Sequence, residues 1–317
     1  MNEIVIIAGP PASGKSTLVK QFVDKGYHRF NRDELGETFD KMYSKMHILF
    51  FTNPCSFVLD NVYATKIARS QIVAVAQQLH IPIHIKWMMT TAEQAQFFAA
   101  RRQMQRYGKV LRSEEYKAVR KDPNMFPPGA QFAYWKQVEK PTLDEGFASI
   151  EEVPVSINLG SEYKNKALIL DYDGTLRVTK SGKIYPSDPD DVVLLDGRKD
   201  ILRRKQAEGF ILCGASNQSG IAKEPGDPKH VSEESANLCF KRTNDLLGLN
   251  IDYIYAPDRS GVPQSFLRKP FPGMGAYFIE KYKLDPSQCL CIGDLTSDAT
   301  FAKRCGFQFA HADAFFR

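Results

Sequence analysis

EIVIIAGPPASGKST, residues 3–17, decides the fold of the first half of the chain. An apolar, β-branched run predicts a buried strand over residues 3–8, and a helix is expected to begin near residue 15. Between them, the spacing G-x-x-x-x-G-K-S is typical of a loop whose backbone N–H groups surround phosphate oxygens. The sequence therefore predicts a nucleotide site made by Gly9, Ser13, Gly14, Lys15, Ser16 and Thr17.

Two side chains of this loop have predicted roles in binding ATP. Lys15 is expected to contact the β- and γ-phosphates, and the Ser16 hydroxyl is expected to ligate Mg²⁺. The motif specifies a nucleotide but no reaction, so residues farther along the chain must indicate the chemistry.

Polar residues after the next two predicted strands leave alternatives open. Asp33 follows the short strand 27–30, and it either accepts a proton from an acceptor hydroxyl or caps the following helix. Asp60 ends the strand 57–60, where it either binds a magnesium-bound water or an acceptor phosphate, or terminates the strand in a turn.

A basic segment follows at residues 101–121, with eight Lys or Arg against two Asp or Glu. Arg102 and Arg106 are four residues apart and so share one helix face, where two guanidinium groups suit a transferring phosphoryl group. The alternative is an ordinary solvated helix face.

Residues 4–140 resemble the 5′-hydroxyl kinase domain of phage-type polynucleotide kinase/phosphatases. The features that carry the resemblance are the loop at 9–16, Asn31-Arg32-Asp33, Asp60-Asn61 with Arg69 downstream, and the Arg102/Arg106 pair. The resemblance implies Asp33 as general base and the arginine pair as a lid. Gly36 stands where the family commonly has an arginine that holds the acceptor phosphate, so Arg32 or Arg69 is expected to compensate. Asp60 and Asn61 complete the predicted acceptor site.

KALILDYDGTL, residues 166–176, opens the second half with a buried strand followed by Asp171, Asp173, Gly174 and Thr175. This pattern resembles the haloacid-dehalogenase superfamily, whose further motifs follow in order at Ser216, Lys269, Asp294 and Asp298.

The chemistry of such a site gives each of these residue types a role. Asp171 is the predicted nucleophile that forms an aspartyl-phosphate, and Asp173 is the predicted acid and base. Ser216 and Lys269 neutralise phosphoryl oxygens. The predicted Mg²⁺ ligands in this half are Asp171, Asp173, Asp294 and Asp298, with Asp298 alternatively orienting Lys269, and Asn217 is a predicted substrate-binding residue.

The specificity of the second half is indicated by TLRVTKSGKIYP and SNQSGIAK, which resemble the 3′-phosphatase domain of animal-type polynucleotide kinase/phosphatases. The same motifs resemble histidinol- and heptose-bisphosphate phosphatases, which usually carry a Cys/His zinc loop before the lysine motif. Residues 256–270 contain neither Cys nor His, so no structural zinc is expected there.

Alternating strands and helices predict an α/β protein of two doubly wound parallel-sheet domains. These are a P-loop kinase fold at residues 1–158 and a phosphatase fold of the haloacid-dehalogenase, Rossmann-like type at residues 159–317. The linker is expected at 151–164. The implied function is a bifunctional enzyme that phosphorylates 5′-hydroxyl ends of DNA or RNA and removes 3′-phosphates. Two alternatives remain: a metabolic small-molecule kinase fused to a sugar or histidinol phosphatase, and a regulatory module that uses only its phosphatase.

Composition limits the class of protein. The chain has 317 residues, is 43% hydrophobic and carries a net charge of +5. It contains no apolar run near the about 18 residues that span a bilayer, and its first residues do not resemble a secretion signal. Six scattered cysteines are typical of reduced thiols, so a cytoplasmic protein is expected, or a nuclear one in a eukaryote. ATP and nucleic-acid ends are the expected partners, and a homo-oligomer remains open.

Overall fold

The computed structural model describes residues 2–259, 261 and 264–317, apart from the side chain of Asp33. Ser260, Val262 and Pro263, in the stretch predicted to lack zinc, lie outside the described residues, and so does the predicted carboxylate base of Asp33. The chain forms two compact units. The first unit comprises Met1–Phe98 and Arg120–Ile157, and the second comprises Ala99–Val119 and Asn158–Arg317.

The segment 99–119 groups with the second unit, although it lies within residues 1–158, the range predicted for the first domain. Its side chains explain this. Arg101 forms an ion pair with Glu280, and Arg112 Nη2 lies 2.6 Å from a carboxylate oxygen of Glu233. Leu111 is buried within the same segment. These contacts, made across more than a hundred residues of chain, leave no local pattern in the sequence.

The first unit is built on a five-stranded parallel sheet of order β2-β3-β1-β4-β5. Its strands are β1 (Ile4–Ala8), β2 (His28–Phe30), β3 (Phe57–Asp60), β4 (Ile83–Met89) and β5 (Ser149–Pro154). The α-helices that begin in this unit are α1 (Lys15–Val23), α2 (Arg32–Leu35), α3 (Phe39–Thr52), α4 (Lys66–Leu79), α5 (Ala92–Tyr107) and α6 (Pro128–Gln137).

Both faces of this sheet are covered. Along β1, Ile4 and Ile6 belong to one hydrophobic cluster, and Val5 and Ile7 belong to a second cluster that includes Val19 of α1. A central parallel strand buried on both faces is expected to be apolar throughout, as β1 is.

The predicted linker needs a correction at its beginning, because residues 151–154 belong to β5. Among the described strands, this strand pairs with β4 alone and lies at the edge of the sheet. Its sequence, SIEEVP, is largely exposed and polar, as is common at sheet edges, and so it does not resemble a buried strand.

The second unit repeats the architecture with a five-stranded parallel sheet of order β10-β9-β6-β11-β12 and an antiparallel pair, β7–β8. Its strands are β6 (Ala167–Leu170), β7 (Arg177–Thr179), β8 (Val192–Leu194), β9 (Ile211–Asn217), β10 (Asp252–Ala256), β11 (Leu290–Gly293) and β12 (Gln308–His311). The α-helices are α7 (Arg198–Ala207), α8 (Glu233–Leu247), α9 (Gly273–Tyr282), α10 (Thr296–Cys305) and α11 (Ala312–Phe315). The predicted fold class, α/β with two parallel sheets, is confirmed.

The described helices include none with the length and apolar character needed to cross a bilayer. All six cysteines are thiols, and five of them are buried.

Candidate functional sites

The loop after β1 has the backbone shape that its glycines predict. A Cβ at Gly9 would lie 2.7 Å from the Cβ of Met88, so only glycine fits there. Gly14 has φ 85°, in the left-handed region, and is the N-cap of α1. No side chain caps this helix, as far as the described residues go, so the first N–H groups of α1 face the loop.

The Lys15 side chain folds back over the loop. Its Nζ donates hydrogen bonds to the carbonyl oxygens of Gly9, at 2.9 Å, and Pro10, at 2.7 Å. The buried Ser13 hydroxyl lies 3.4 Å from the same nitrogen, while Ser16 is exposed in the first turn of α1. An ammonium group, a helix N-terminus and an exposed hydroxyl at one loop fit the triphosphate of a nucleotide with its Mg²⁺.

The loops after β2 and β3 are joined beside this site. Asn31 Nδ2 donates to the carbonyl oxygen of Asp60 at 2.8 Å, and the backbone N–H of Arg32 donates to Asn61 Oδ1 at 3.3 Å. Asp60 is aligned with Ile7 in the sheet, so these loops leave the same edge as the phosphate-binding loop. The Arg32 guanidinium carbon lies 4.9 Å from the centre of the Phe39 ring.

Arg29 is a charged residue at this edge that the sequence analysis missed. Its Nε and Nη2 bind the two carboxylate oxygens of Asp60 at 3.1 and 2.9 Å, and Nη2 also lies 2.8 Å from Glu34. Asp60 is only 2% exposed. The carboxylate of Asp60 therefore holds Arg29, and its contact with a magnesium-bound water or an acceptor phosphate stays a prediction. A polar residue in the middle of the short strand 28–30 was the available signal.

The predicted substrate-binding role of Arg69 is wrong, because this side chain is fully buried. Its Nε and Nη2 each lie 2.7 Å from a carboxylate oxygen of Glu145. Nη1 donates to the carbonyl oxygens of Glu139, at 2.9 Å, and Tyr63, at 3.1 Å. Arg69 fastens α4 to the segment before β5.

Arg69→Met should destabilise the first unit by about 3–5 kcal/mol, because Glu145 would keep a buried charge without its partner. Burial alone would raise the pKa of Glu145. Hydrogen bonds from Arg69 and the Thr142 backbone have the larger opposite effect, so the pKa lies below its ordinary value. A carboxyl whose pKa is lower in the folded state stabilises the fold above its unfolded pKa of about 4.3 and loses that contribution as the pH falls. Urea unfolding from pH 7 to 3 measures both effects.

In that titration, the double variant Arg69→Met/Glu145→Leu should recover most of the stability and show a weaker acid dependence. Equal stability of Arg69→Met and the parent protein would contradict the buried pair.

Arg102 and Arg106 lie on the last turns of α5, four residues apart, within the second unit, whereas the phosphate-binding loop lies in the first. Several neighbouring charges are paired, which differs from a merely solvated face. Lys109 forms an ion pair with Glu115, in addition to the pairs of Arg101 and Arg112. The lid role of the two arginines stays a prediction.

A cluster of carboxylates lies in the second unit where β6 and β11 end. Oxygen atoms of Asp171, Asp294 and Asp298 all lie within 4.8 Å of one another. Asp171 follows β6, Asp294 follows the neighbouring β11, and Asp298 lies in the first turn of α10. A Cβ at Gly174, where φ is 85°, would lie 2.4 Å from Asp294 Oδ2, so the loop after β6 must have glycine to approach this closely.

Lys269 joins two members of this cluster. Its Nζ lies 2.6 Å from Asp171 Oδ1, 2.6 Å from Asp298 Oδ1 and 2.8 Å from the carbonyl oxygen of Ala215. Burial alone would lower the pKa of Lys269, but the two carboxylates raise it above its ordinary value. Burial raises the pKa of Asp171 to about 7, against the opposing effect of Lys269.

The donor set at this cluster fits a Mg²⁺ ion, because carboxylate oxygens are its preferred protein ligands. Lys269 contacts two of the three carboxylates, and burial also raises the pKa of the third, Asp294. A divalent cation would offset this crowding of negative charge. Asp298 both contacts Lys269 and belongs to the cluster, so its position is compatible with both roles that the sequence left open.

The carboxylate of Asp173 does not belong to the cluster found among the described residues, and its role as a metal ligand stays a prediction. Arg177 Nε donates to Asp173 Oδ1 at 2.8 Å, and Gln218 Nε2 donates to Oδ2 at 2.8 Å. Gln218 also donates to Ser216 Oγ at 3.0 Å. Gln218 lies 45 residues from Asp173, so no local pattern indicates their contact, whereas Arg177 is four residues from Asp173 and that spacing was an available signal.

Asn217, whose role in substrate binding stays a prediction, holds the backbone of Lys269. Its Nδ2 donates to the carbonyl oxygen of Lys269 at 3.1 Å, and its Oδ1 accepts the Lys269 N–H at 2.9 Å. The two bonds use both ends of the amide. Asn217 therefore positions Lys269 from the end of β9.

Residues 166–316 match the family model described as "Polynucleotide kinase 3 phosphatase". A "Bifunctional polynucleotide phosphatase/kinase" of Schizosaccharomyces pombe is 33% identical over 153 residues, which cover 48% of this chain and 33% of that protein. The chain therefore spans about a third of the length of that relative. A "D-glycero-beta-D-manno-heptose-1,7-bisphosphate 7-phosphatase" of Haemophilus influenzae is 30% identical, over 42% of this chain and 73% of that enzyme.

Among solved structures, a chain of the "Pnkp1/Rnl/Hen1 RNA repair complex" aligns with 98% of this chain and 95% of its own length, at 15% identity and a TM-score of 0.32.

Proposed function

We propose that this chain is an end-healing enzyme, because residues 166–316 match the polynucleotide kinase 3 phosphatase family model. The second unit removes phosphate from 3′ ends of DNA or RNA, and the first unit transfers the γ-phosphate of ATP to 5′-hydroxyl ends. The observation that carries the phosphatase is Asp171, a buried carboxylate held by Lys269 beside two further carboxylates. The observation that supports the kinase is the phosphate-binding loop at Gly9–Ser16.

In the proposed phosphatase reaction, an oxygen of Asp171 attacks phosphorus and forms an aspartyl-phosphate while the bond to the leaving oxygen breaks. Asp173 gives its proton to that oxygen and later takes one from the water that attacks phosphorus, which returns Asp171 to its starting state. Lys269 and Ser216 stabilise the phosphoryl oxygens. Asp171, Asp294 and Asp298 would hold Mg²⁺, which would supply positive charge at the same group.

In the proposed kinase reaction, the backbone N–H groups from Gly9 to Ser16 bind the phosphates of ATP. Lys15 exchanges its contacts with loop carbonyls for the β- and γ-phosphates. Ser16 would hold Mg²⁺, which would supply positive charge for the transferred group. Asp33 accepts the proton of the 5′-hydroxyl.

A single oligonucleotide with a 5′-hydroxyl and a 3′-phosphate tests both activities. With γ-labelled ATP and Mg²⁺, the proposal expects label at the 5′ end and loss of phosphate from the 3′ end. Label transfer without 3′ release, or release without transfer, would remove one half of the proposal.

A small sugar bisphosphate is the second candidate substrate, favoured by the likeness to the heptose bisphosphate 7-phosphatase. Salt separates the two substrates, because a polynucleotide loses affinity steeply as salt rises through counterion release. We expect the apparent affinity for the oligonucleotide to decrease steeply when the salt concentration is raised from about 50 to about 200 mM. The affinity for a sugar phosphate should change far less. Faster turnover of the sugar bisphosphate with no salt effect would favour the metabolic alternative.

The proposed lid gives a further prediction. Arg102→Lys and Arg106→Lys should each lower the kinase kcat on the order of 10-fold or more, because lysine lacks the planar fork that binds a phosphoryl group at two oxygens. Neutralising Lys117 or Lys121 serves as the control and should at most weaken nucleic-acid binding in a salt-dependent way. Measurement of kcat and KM at two salt concentrations compares the four variants. Unchanged kcat in both arginine variants would place the lid elsewhere.

A further inference from the structure

The carboxylate of Asp173 is held at both of its oxygens by buried donors. Arg177 binds Oδ1 and Gln218 binds Oδ2, each at 2.8 Å. Arg177 is 1% exposed and Gln218 is 4% exposed. Two donors that cannot move into solvent fix both the position and the plane of the carboxylate.

Arg177 is itself fixed from behind. Its Nη1 donates to Thr243 Oγ1 at 2.9 Å, and the Thr243 hydroxyl donates to the Cys239 carbonyl oxygen at 2.8 Å. The guanidinium carbon lies 4.9 Å from the centre of the Phe240 ring and 5.2 Å from that of Tyr172. The group is therefore packed between aromatic rings and α8, and it forms an ion pair with Asp173.

A guanidinium at this position is costly for the fold. Its surroundings are the hydrophobic cluster that contains Tyr172, Leu176 and Phe240, and an apolar side chain of similar volume would avoid the loss of hydration. An ion pair buried beside a site of reaction, where packing alone favours an apolar residue, indicates a role in that reaction.

We propose that Arg177 is a positioning residue that aims Asp173 at the leaving oxygen of the phosphate ester. The inference rests on the proposed phosphatase reaction. When the ester bond breaks, the leaving oxygen takes the electron pair of that bond and the proton of Asp173, and the phosphoryl group is bonded to Asp171. Loss of Arg177 should therefore slow this step in proportion to how much the leaving group needs a proton.

Two phosphate esters, p-nitrophenyl phosphate and a 3′-phosphorylated oligonucleotide, measure how much the leaving group needs a proton. p-Nitrophenolate is a weak base and leaves without protonation, whereas the 3′-oxygen of an oligonucleotide leaves as an alcohol. In single-turnover experiments, Arg177→Met should slow cleavage of the 3′-phosphorylated oligonucleotide on the order of 10²-fold, while nitrophenol release changes by less than about 3-fold. Single turnovers isolate the first step from the later hydrolysis of the aspartyl-phosphate.

Further variants separate aiming from folding. Thr243→Val removes the hydroxyl behind the guanidinium without touching Asp173, so it should lower the alkyl-to-aryl rate ratio in the same direction but less. Arg177→Lys keeps the positive charge but loses the planar guanidinium. Its alkyl-to-aryl rate ratio should lie between those of the parent protein and Arg177→Met. Arg101→Met is the matched control, because it breaks a partly buried ion pair of the same unit with Glu280. It should leave the ratio unchanged.

An equal fall in both rates in Arg177→Met, or an unchanged ratio, would overturn the positioning role. If that variant does not fold, an unchanged ratio in both Thr243→Val and Arg177→Lys overturns it. Failure of the parent protein to cleave either ester would instead overturn the phosphatase assignment, so the two failures are distinguishable.

Discussion

Asp171→Asn should abolish release of 3′-phosphate, with a fall on the order of 10⁴-fold or more, and leave 5′-phosphorylation unchanged. Asparagine has nearly the shape of aspartate, but its amide cannot form the aspartyl-phosphate. Lys269 would keep its 2.6 Å contact with Asp298, so the variant retains one ion pair at the site. Phosphate release and label transfer from the same preparation measure the two activities side by side.

The control for this variant is thermal unfolding, which should show that Asp171→Asn is folded like the parent protein. Loss of both activities together would indicate a folding defect rather than a lost nucleophile. Beryllium fluoride, which mimics an aspartyl-phosphate, should be bound at Asp171 in the parent protein. Its location on another carboxylate would contradict the assignment.

Lys15→Ala should lower 5′-phosphorylation by at least about 10²-fold and leave 3′-phosphate release unchanged. The variant removes the cation that lies over the loop in contact with the carbonyl oxygens of Gly9 and Pro10. Without it, charge that develops on the transferred phosphate has lost a fixed partner. Initial rates of label transfer at saturating ATP measure the effect on kcat.

Asp33→Asn separates the two interpretations of that residue. If Asp33 is the general base, Asp33→Asn should lower kinase activity about as much as Lys15→Ala does and should leave ATP binding unchanged. As a helix cap, the change should be nearly silent, since asparagine caps a helix about as well as aspartate. Kinase activity close to that of the parent protein would therefore contradict the base.

Local patterns predicted the parts of the sites that lie close together in the chain. The spacing from Gly9 to Ser16 predicted a strand, a loop and a helix, and β1 and α1 lie on either side of that loop. The apolar run 57–60 coincides with β3. Each of these features depends on fewer than twenty consecutive residues, so the sequence contains the whole signal.

The pairings that decide what each side chain does are not local. Arg29 and Asp60 are 31 residues apart, and Arg69 and Glu145 are 76 apart. An arginine and a carboxylate at such distances are common in any sequence, and only the crossing of strands and helices selects the pair that meets. For this reason Arg69 was expected in a substrate site and is found in the core.

The grouping of residues 99–119 with the second unit affects how the chain can be made and divided. During synthesis, this segment leaves the ribosome about 60 residues before β6, and the acidic partners of Arg101 and Arg112 follow later still. A fragment that stops near residue 158 would expose Leu111 and Tyr116 to water, so it should be prone to aggregate. Neither half of the chain is therefore a self-contained fragment, and each activity is best measured in the intact protein.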